Sequence, residues 1–555
     1  MVLRLAAVTA AAWSVNWSVV PTSPQNPVPA ESTEPTDPSL TSAAPAVPAA
    51  AVPSLAAVQQ TAVELGEVFA AAGHELALVG GPVRDAFLGR TSSDLDFATS
   101  AHPDETLRIL AAWGDAHWDI GKEFGTIGAK RFGSRRSRRG SGAGAGSAVD
   151  SADGSAGSAP GAPGGHRPPD VVVEVTTYRT DKYDPASRKP LVAFGDTLEG
   201  DLSRRDFTVN AMAVRLPSME LVDPHGGAAD LAAQVLRTPI APERSFDDDP
   251  LRMMRAARFA AQLGFHVEPA TNDAIVAMAG RIEIVSAERV QAELSKLLCA
   301  GEPRRGLEVL VDTGLAAHVL PELPALRLEI DEHHRHKDVY EHSLIVLDQA
   351  IAQETGPDGA VPAPDLVLRL ASLLHDIGKP GTRRFEDGGG VSFHHHEVVG
   401  AKLVGKRLRA LKYEKHVVKD VARLVELHLR FHGYGEGAWT DSAVRRYVTD
   451  AGPLLERLHR LTRADCTTRN RRKAKRLSDA YDDLERRIAE LQEKEELAAI
   501  RPDLDGAQIM ATLGIEPGPV VGQAYKFLLE LRMERGPLGE DVAREELERW
   551  WAARG

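Results

Sequence analysis

Asp94 and Asp96, one residue apart, follow a glycine turn made of Gly80, Gly81, Pro82, Val83, Arg84 and Asp85. Residues 75–79 read as a short buried strand, and the paired glycines leave its end open to close approach. Pro82 suits the first turn of a helix expected over residues 83–88. A helix start after glycines presents free N–H groups to an anion. Residues 93–98 read as a second strand, whose period of two places Asp94 and Asp96 on one face, about 7 Å apart. Two carboxylates beside a phosphate cradle suit Mg²⁺ ions and a nucleoside triphosphate. A third acid is expected from a neighbouring strand. Glu174 is the candidate, the single acid in the β-branched run 171–177, where a carboxylate is costly unless it faces a metal or a partner. The alternative is an outward-facing edge position.

Two further clusters carry polar chemistry. Arg204, Arg205, Asp206 and Asn210 surround Phe207, Thr208 and Val209, giving donors and acceptors for ribose and triphosphate, or else a structural ion-pair cluster. Asp248, Asp249, Pro250, Leu251 and Arg252 read as a helix start, with Asp249 and Arg252 three apart on one helical face. A carboxylate accepts from an exocyclic amine, and a guanidinium donates to a ring acceptor. Cytosine and adenine both offer that pair on their pairing edge; uracil and guanine put a carbonyl where the amine would be. One Asp/Arg pair therefore admits C and A and refuses U and G without a template, because the wrong base leaves buried polar groups unpaired. A helix cap with a surface ion pair is the plainer reading.

The elements that must position these residues belong to a long chain. Its 555 residues are too many for one core. The net charge of −13 does not favour nucleic-acid binding, although a local basic stripe can serve within an acidic whole. Cys299 and Cys466 are the only cysteines, which argues against a disulfide framework and for a reducing, cytoplasmic setting. No apolar run has the length of a membrane helix. Residues 1–53 end in a Pro-, Ala-, Ser- and Thr-rich stretch that cannot bury a core, so they are expected to be disordered rather than an export signal. Residues 54–69 read as an amphipathic helix. A Gly-, Ser- and Ala-rich stretch over 133–169 separates strand-like runs at 125–132 and 170–177, as an expanded hairpin loop would. Its arginines, Arg135, Arg136, Arg138 and Arg139, read as a solvated charge run or an RNA contact. From Leu231 onward the apolar spacing is helical, at 250–263, 270–279, 287–300 and 484–497. The expected fold class is α+β: a small mixed-sheet head over 54–215, a helical neck over 216–330, a histidine-rich helical domain over 331–476 and a helical tail over 477–555.

The ordered motifs resemble those of bacterial tRNA nucleotidyltransferases of class II, in the DNA polymerase β superfamily. They run from Leu78 to Asp85 with Asp94 and Asp96, then Arg204 to Ala211, then Asp223 to Gly227 with Asp230 and Leu231. The series continues with Asp248 to Arg252 with Arg255, Arg258 and Phe259, and closes on Ser286 to Arg289 with Glu293 and Leu294. The resemblance covers about residues 56–300. It implies Mg²⁺ held by Asp94 and Asp96, and attack of a tRNA 3′-hydroxyl on the α-phosphate of CTP or ATP with release of pyrophosphate. It implies nucleotide binding by Gly80, Gly81, Arg84, Arg204, Arg205, Asp206, Asn210, Arg255 and Arg258, with Asp249 and Arg252 reading the base. Where the family usually has Glu-Asp, this chain has Asp248 and Asp249. Complete CCA addition is favoured because residues 178–197, with Asp181, Arg188 and Gly195, are full length where CC-only enzymes look shortened. A poly(A) polymerase and a partial, CC- or A-adding enzyme stay open.

The histidine-rich domain resembles the HD phosphohydrolase superfamily. Residues 373–379 place His375 and Asp376 at the end of an apolar helix. His342, His375, Asp376 and Asp465 match the minimal metal set, while His396 with Glu397, and His428, match positions filled in two-metal forms. The resemblance implies a divalent metal and phosphohydrolase chemistry; a retained scaffold without turnover is the alternative. His333, His334, His394 and His395 read as rim or loop residues. Arg463, Arg469, Arg471, Arg472, Lys473, Lys475 and Arg476 form a phosphate-binding stripe or a solvated helix face.

Overall fold

The computed structural model describes residues 52–90, 95–132, 170–182, 191–195, 197–327, 338–387, 390–434, 439–468, 470–495 and 501–554. Asp94, Arg188, His333, His334, Arg469, the loop over 133–169 and residues 1–51 lie outside them.

The head is built on strands β1 (Leu76–Val79), β2 (Leu95–Thr99), β3 (Ala116–Trp118), β4 (Thr126–Arg131), β5 (Val171–Thr177), β8 (Ala213–Leu216) and β9 (Glu220–Val222). They form one mixed sheet in the order β3-β4-β5-β2-β1-β8-β9. Only β2 and β5 run parallel within it; the other pairs are antiparallel. The pairing of β4 with β5 brings the two ends of the 133–169 stretch together, as expected for an expanded hairpin. Strands β6 (Arg179–Lys182) and β7 (Leu191–Phe194) form a separate hairpin, so the segment expected as a polar loop is partly ordered strand.

Alternation gives the sheet two faces of different kind. Leu76, Leu78, Leu95, Phe97, Ile127, Val173, Val175 and Val214 are buried in the main core. The opposite face is lined with small residues, Ala77, Val79, Ala98 and Ala213, under Leu198, Leu202 and Tyr178. Asp96 and Glu174 alternate with the core residues of their strands and are exposed on this second face. Along one row of the register, Trp118 pairs with Gly128, Gly128 with Glu174, and Glu174 with Asp96. A β-carbon on Gly128 would stand about 2 Å from the indole of Trp118, so glycine is what lets that ring lie over the sheet.

Beyond the head, helices Pro242–Asp248, Leu251–Leu263, Pro269–Met278, Ala287–Leu298 and Pro303–Asp312 form the neck. The histidine-rich domain follows, with helices Val339–Ile351, Leu366–Leu374, His396–Ala410, Lys415–Leu427, Asp441–Ala451 and Leu455–Asp465. Arg369 joins the two. It pairs with Glu354 at 2.7 Å, both side chains buried, and donates to the carbonyls of Leu298 and Ala300 at the end of a neck helix. The helix expected over 484–497 spans Arg471–Glu495, beginning earlier because its first half is charged and carries little apolar signal. Leu504, Ile509, Leu528 and Leu547 give the tail a core of its own.

Candidate active sites

The head site is assembled at the end of β1, where Gly80 has φ 72°. A β-carbon there would lie 2.9 Å from Arg205 Nη1, so a side chain would both strain the turn and displace a guanidinium. The Gly81–Phe87 helix begins at that turn with Pro82 in its first turn. Arg84 on this helix donates to Asn210 Oδ1 at 2.8 Å, and Asn210 Nδ2 donates to Asp206 at 3.0 Å. Asp206 also pairs with Arg255 at 2.7 Å. Burial works against the Asp206 charge, but Arg255, Asn210 and the Phe207 N–H hold its carboxyl below the usual range. Arg84, Arg255 and Arg258 lie 5.5, 5.7 and 3.9 Å from the centre of the Phe259 ring. One aromatic ring thus serves three cations.

Arg204 and Arg205 share a partner that the motif reading passed over. Asp201, buried in the Leu198–Ser203 helix, accepts from Arg204 at 2.8 Å and Arg205 at 3.1 Å. Its spacing, three and four residues ahead of the arginines, is the helical ion-pair spacing and was available as a signal. Asp96 and Glu174, in register on parallel strands, complete the described acids of this face. Exposed carboxylates on adjacent strands, with cations held nearby, are a donor set that fits hard divalent ions and a triphosphate.

The expected base-reading pair is placed differently from the sequence reading. Asp249 lies outside any helix, with φ −146° and ψ 98°, and the helix begins at Leu251. Pro250 causes this, since a proline disfavours helical conformation in the residue before it. Asp249 therefore does not share a helical face with Arg252. Its carboxylate accepts from the Leu251 N–H at 3.2 Å and pairs with Arg289 at 3.0 Å. Arg252 is buried and donates to Ser245 Oγ at 2.8 Å and to the Arg204 carbonyl. Arg289 was part of the closing motif, but its contact with Asp249 could not be read from spacing. Arg258 is held by Glu293, another member of that motif.

The second site lies where several helices of the histidine-rich domain meet. His342, His375 and Asp465 bring ligand atoms within 4.8 Å of one another, and so do Asp376, His396 and His428. His342 Nε2 is 2.9 Å from Asp465 and 3.3 Å from His375 Nε2; His375 Nε2 is 3.2 Å from Asp376. His396 Nε2 is 3.2 Å from the other Asp376 oxygen. Three imidazoles are aimed by one local device. The Nδ1–H groups of His375, His396 and His428 donate to the carbonyls of Ser372, Phe393 and Val425, each three residues earlier, at 2.8, 2.8 and 2.6 Å. That fixes the tautomer and turns each Nε2 inward, the usual arrangement of metal-ligating histidine. His396 Nε2 and His428 Nε2 are buried with no hydrogen-bond partner among the described residues. These orphaned acceptors fit a divalent metal.

The same groups act strongly on one another's charge. Burial opposes a charge on His375, but Asp376 and Asp465 override it and raise the imidazole to about 9. Burial and the neighbouring His375 lower His428 to about 3. Burial alone would raise the Asp376 carboxyl; His375 and Lys379 instead hold it well below its usual range. Lys379, three residues on, lies 2.9 Å from Asp376 and was not singled out from sequence. His394 and His395 are exposed, in line with a rim or loop role. Within the basic run, Arg463 is committed to Asp482 and Glu485 and lies over Tyr481, so it belongs to a structural cluster and not to a phosphate stripe. Arg471, Arg472, Lys473 and Arg476 are exposed at the start of the following helix.

Comparison with known proteins bears on both sites. Residues 76–135 and 165–237 match the poly A polymerase head domain, residues 264–326 a probable RNA and SrmB-binding site of polymerase A, and residues 339–470 the HD domain. An A-adding tRNA nucleotidyltransferase from Deinococcus radiodurans is 39% identical over 362 residues, covering 64% of this chain and 79% of the relative. The chain belongs to the tRNA nucleotidyltransferase family. A CCA-adding enzyme from Streptococcus suis is 36% identical over 277 residues, 49% of this chain and 57% of its own length. The crystal structure of the Bacillus stearothermophilus CCA-adding enzyme in complex with CTP shares the fold, with a TM-score of 0.58 at 24% identity over 89% of this chain and 98% of that one. Among the described residues no helix is long and apolar enough to cross a membrane.

Proposed function

We propose that this nucleotidyltransferase completes the CCA end of tRNA from CTP and ATP, releasing pyrophosphate. The observation that carries the reading is the register of Asp96 with Glu174 on parallel strands, beside a network of arginines at the glycine turn. In this reading Asp94, Asp96 and Glu174 would hold Mg²⁺, which supplies charge neutralisation at the triphosphate and activation of the RNA 3′-hydroxyl when bound. Arg84, Arg204, Arg205 and Arg255 bind the phosphates, with Asn210 and Asp206 fixing their positions. Asp249 and Arg252 read the base once a nucleotide draws them from Arg289 and Ser245. The domain boundaries fit this division of labour, with chemistry in residues 54–215 and selection and RNA contact in 216–330. Cytoplasmic localisation follows from the tRNA substrate.

His342, His375, Asp376, His396, His428 and Asp465 would hold one or two divalent metals, which supply an activated water for phosphoester hydrolysis when bound. We infer that this second activity is separate from nucleotide addition.

A second reading, addition of the terminal A alone, is favoured by the name of the Deinococcus radiodurans relative. Incubating the protein with CTP, ATP and tRNAs that end before the first C, after one C or after both separates the two. Complete activity turns all three into CCA ends. A single A on the CC-ended tRNA, with no C on the others, replaces the proposal by the second reading, and long A tails overturn both.

A further inference from the structure

We propose that a groove in the histidine-rich domain, separate from both sites, docks the phosphate backbone of the RNA substrate. The groove has a volume of about 790 Å³ and lies between the His396–Ala410 and Lys415–Leu427 helices and the end of Asp441–Ala451. Its apolar wall includes Val418, Tyr413 and Leu454, and its cations are Lys402, Arg409, Lys415, Lys419 and Arg423.

The charges separate these cations from most others in the molecule. Arg423 is committed to Glu426 at 2.7 Å and Asp450 at 3.3 Å, and Arg430 pairs with Asp450 at 2.9 Å, so two cations balance two of the three lining acids. Lys402, Arg409, Lys415 and Lys419 are exposed and have no acidic partner among the described residues. Asp420 is the one lining acid left to face them. Elsewhere arginines are spent on acids, as with Arg304 on Glu308, Glu341 and Asp348, and Arg407 on Glu322. Cations left without acids around a groove, in a chain of net charge −13, are complementary to a polyanion.

The groove is also tied to the nucleotide site by one helix. On Ala287–Leu298, Arg289 holds Asp249, and Ser295 donates to the hydroxyl of Tyr413 in the groove wall at 3.0 Å. Those two positions are six residues apart, about 9 Å along the helix axis. An RNA whose 3′ end lies at the head site therefore has the groove within reach of its backbone. The proposal rests on tRNA being the substrate.

The test replaces Lys402, Arg409, Lys415 and Lys419 together by Gln and measures binding of tRNA without its CCA end from 50 to 300 mM salt. Four lost phosphate contacts should reduce the slope of log K against log salt by about 3. Affinity at 100 mM salt should fall at least tenfold. The Lys402→Arg, Lys415→Arg, Lys419→Arg variant, which keeps the charge, should bind as the wild type does, and a thermal melt checks that both variants fold. A slope unchanged in the Gln variant overturns the proposal and leaves the groove to an acidic protein partner. Nucleotide incorporation by the wild type is scored separately. A protein that adds nothing yet loses its salt slope in the Gln variant keeps the groove and loses the proposed reaction.

Discussion

Asp96 and Glu174 stand exposed on an open face of the head sheet, whereas His375, Asp376 and His428 are at most 2% exposed inside a helical domain. The difference follows from what each site must admit. A triphosphate and an RNA end are large and bring their own charge, so the head holds its acids in the open and keeps its cations in reserve on Asp201, Asp206 and Phe259. A metal ion is small and needs imidazoles and carboxylates already aimed. The helical domain supplies these by turning three histidines inward on their own backbone carbonyls.

The comparison can be broken at either end. Glu174→Gln keeps the shape of an exposed side chain, so stability should move by less than about 0.5 kcal/mol. The rate of CTP incorporation should fall by about 10² to 10³, or about 3–4 kcal/mol. A large loss of stability with little loss of rate would make Glu174 structural. At the enclosed site, a divalent metal at one hundred times its dissociation constant should stabilise the protein by about 2.7 kcal/mol in a thermal melt. His375→Ala should abolish that gain, and an equal gain in the variant would remove His375 as a ligand.

Much of the fold was legible in the sequence. The β-branched run around Glu174 and the alternation around Asp96 located two neighbouring strands, because burial on one face imposes a period of two. The arrangement around Asp249 was not legible, because helix periodicity is silent about a residue held extended by a following proline. The commitment of Arg463 to Asp482 and Glu485 was equally hidden, since a run of basic residues looks the same whether its acids lie close by or not. The inward turn of His375, His396 and His428 depends on backbone carbonyls, which every residue has and no sequence distinguishes.

Smaller effects sharpen the contrast within the head. Asp206 is buried with its carboxyl held below the unfolded value, so its contribution to stability is present above about pH 4 and is lost as pH falls through the folded value. Asp206→Asn should therefore cost about 2 kcal/mol at pH 6. Thermal melts at decreasing pH should show the gap from wild type closing below pH 4. A gap independent of pH would place the cost in shape rather than charge. Arg289 is exposed and Asp249 half-buried, so Arg289→Ala frees the Asp249 carboxylate and folding should survive. Discrimination of CTP and ATP against UTP and GTP should loosen about tenfold, about 1.4 kcal/mol, read from the ratios of kcat/KM. Unchanged ratios would show that Arg289 plays no part in base choice.

The most direct test sets the two sites against each other in one assay. Asp96→Ala and His375→Ala proteins are each given CTP, ATP and tRNA lacking its CCA end, and the 3′ ends are sequenced. Asp96→Ala should leave the ends bare, while His375→Ala should yield CCA at a rate within about threefold of wild type, a difference of about 0.7 kcal/mol. Nucleotide addition that survives in Asp96→Ala, or disappears in His375→Ala while its fold is intact, would contradict the division between an open transfer site and an enclosed metal site.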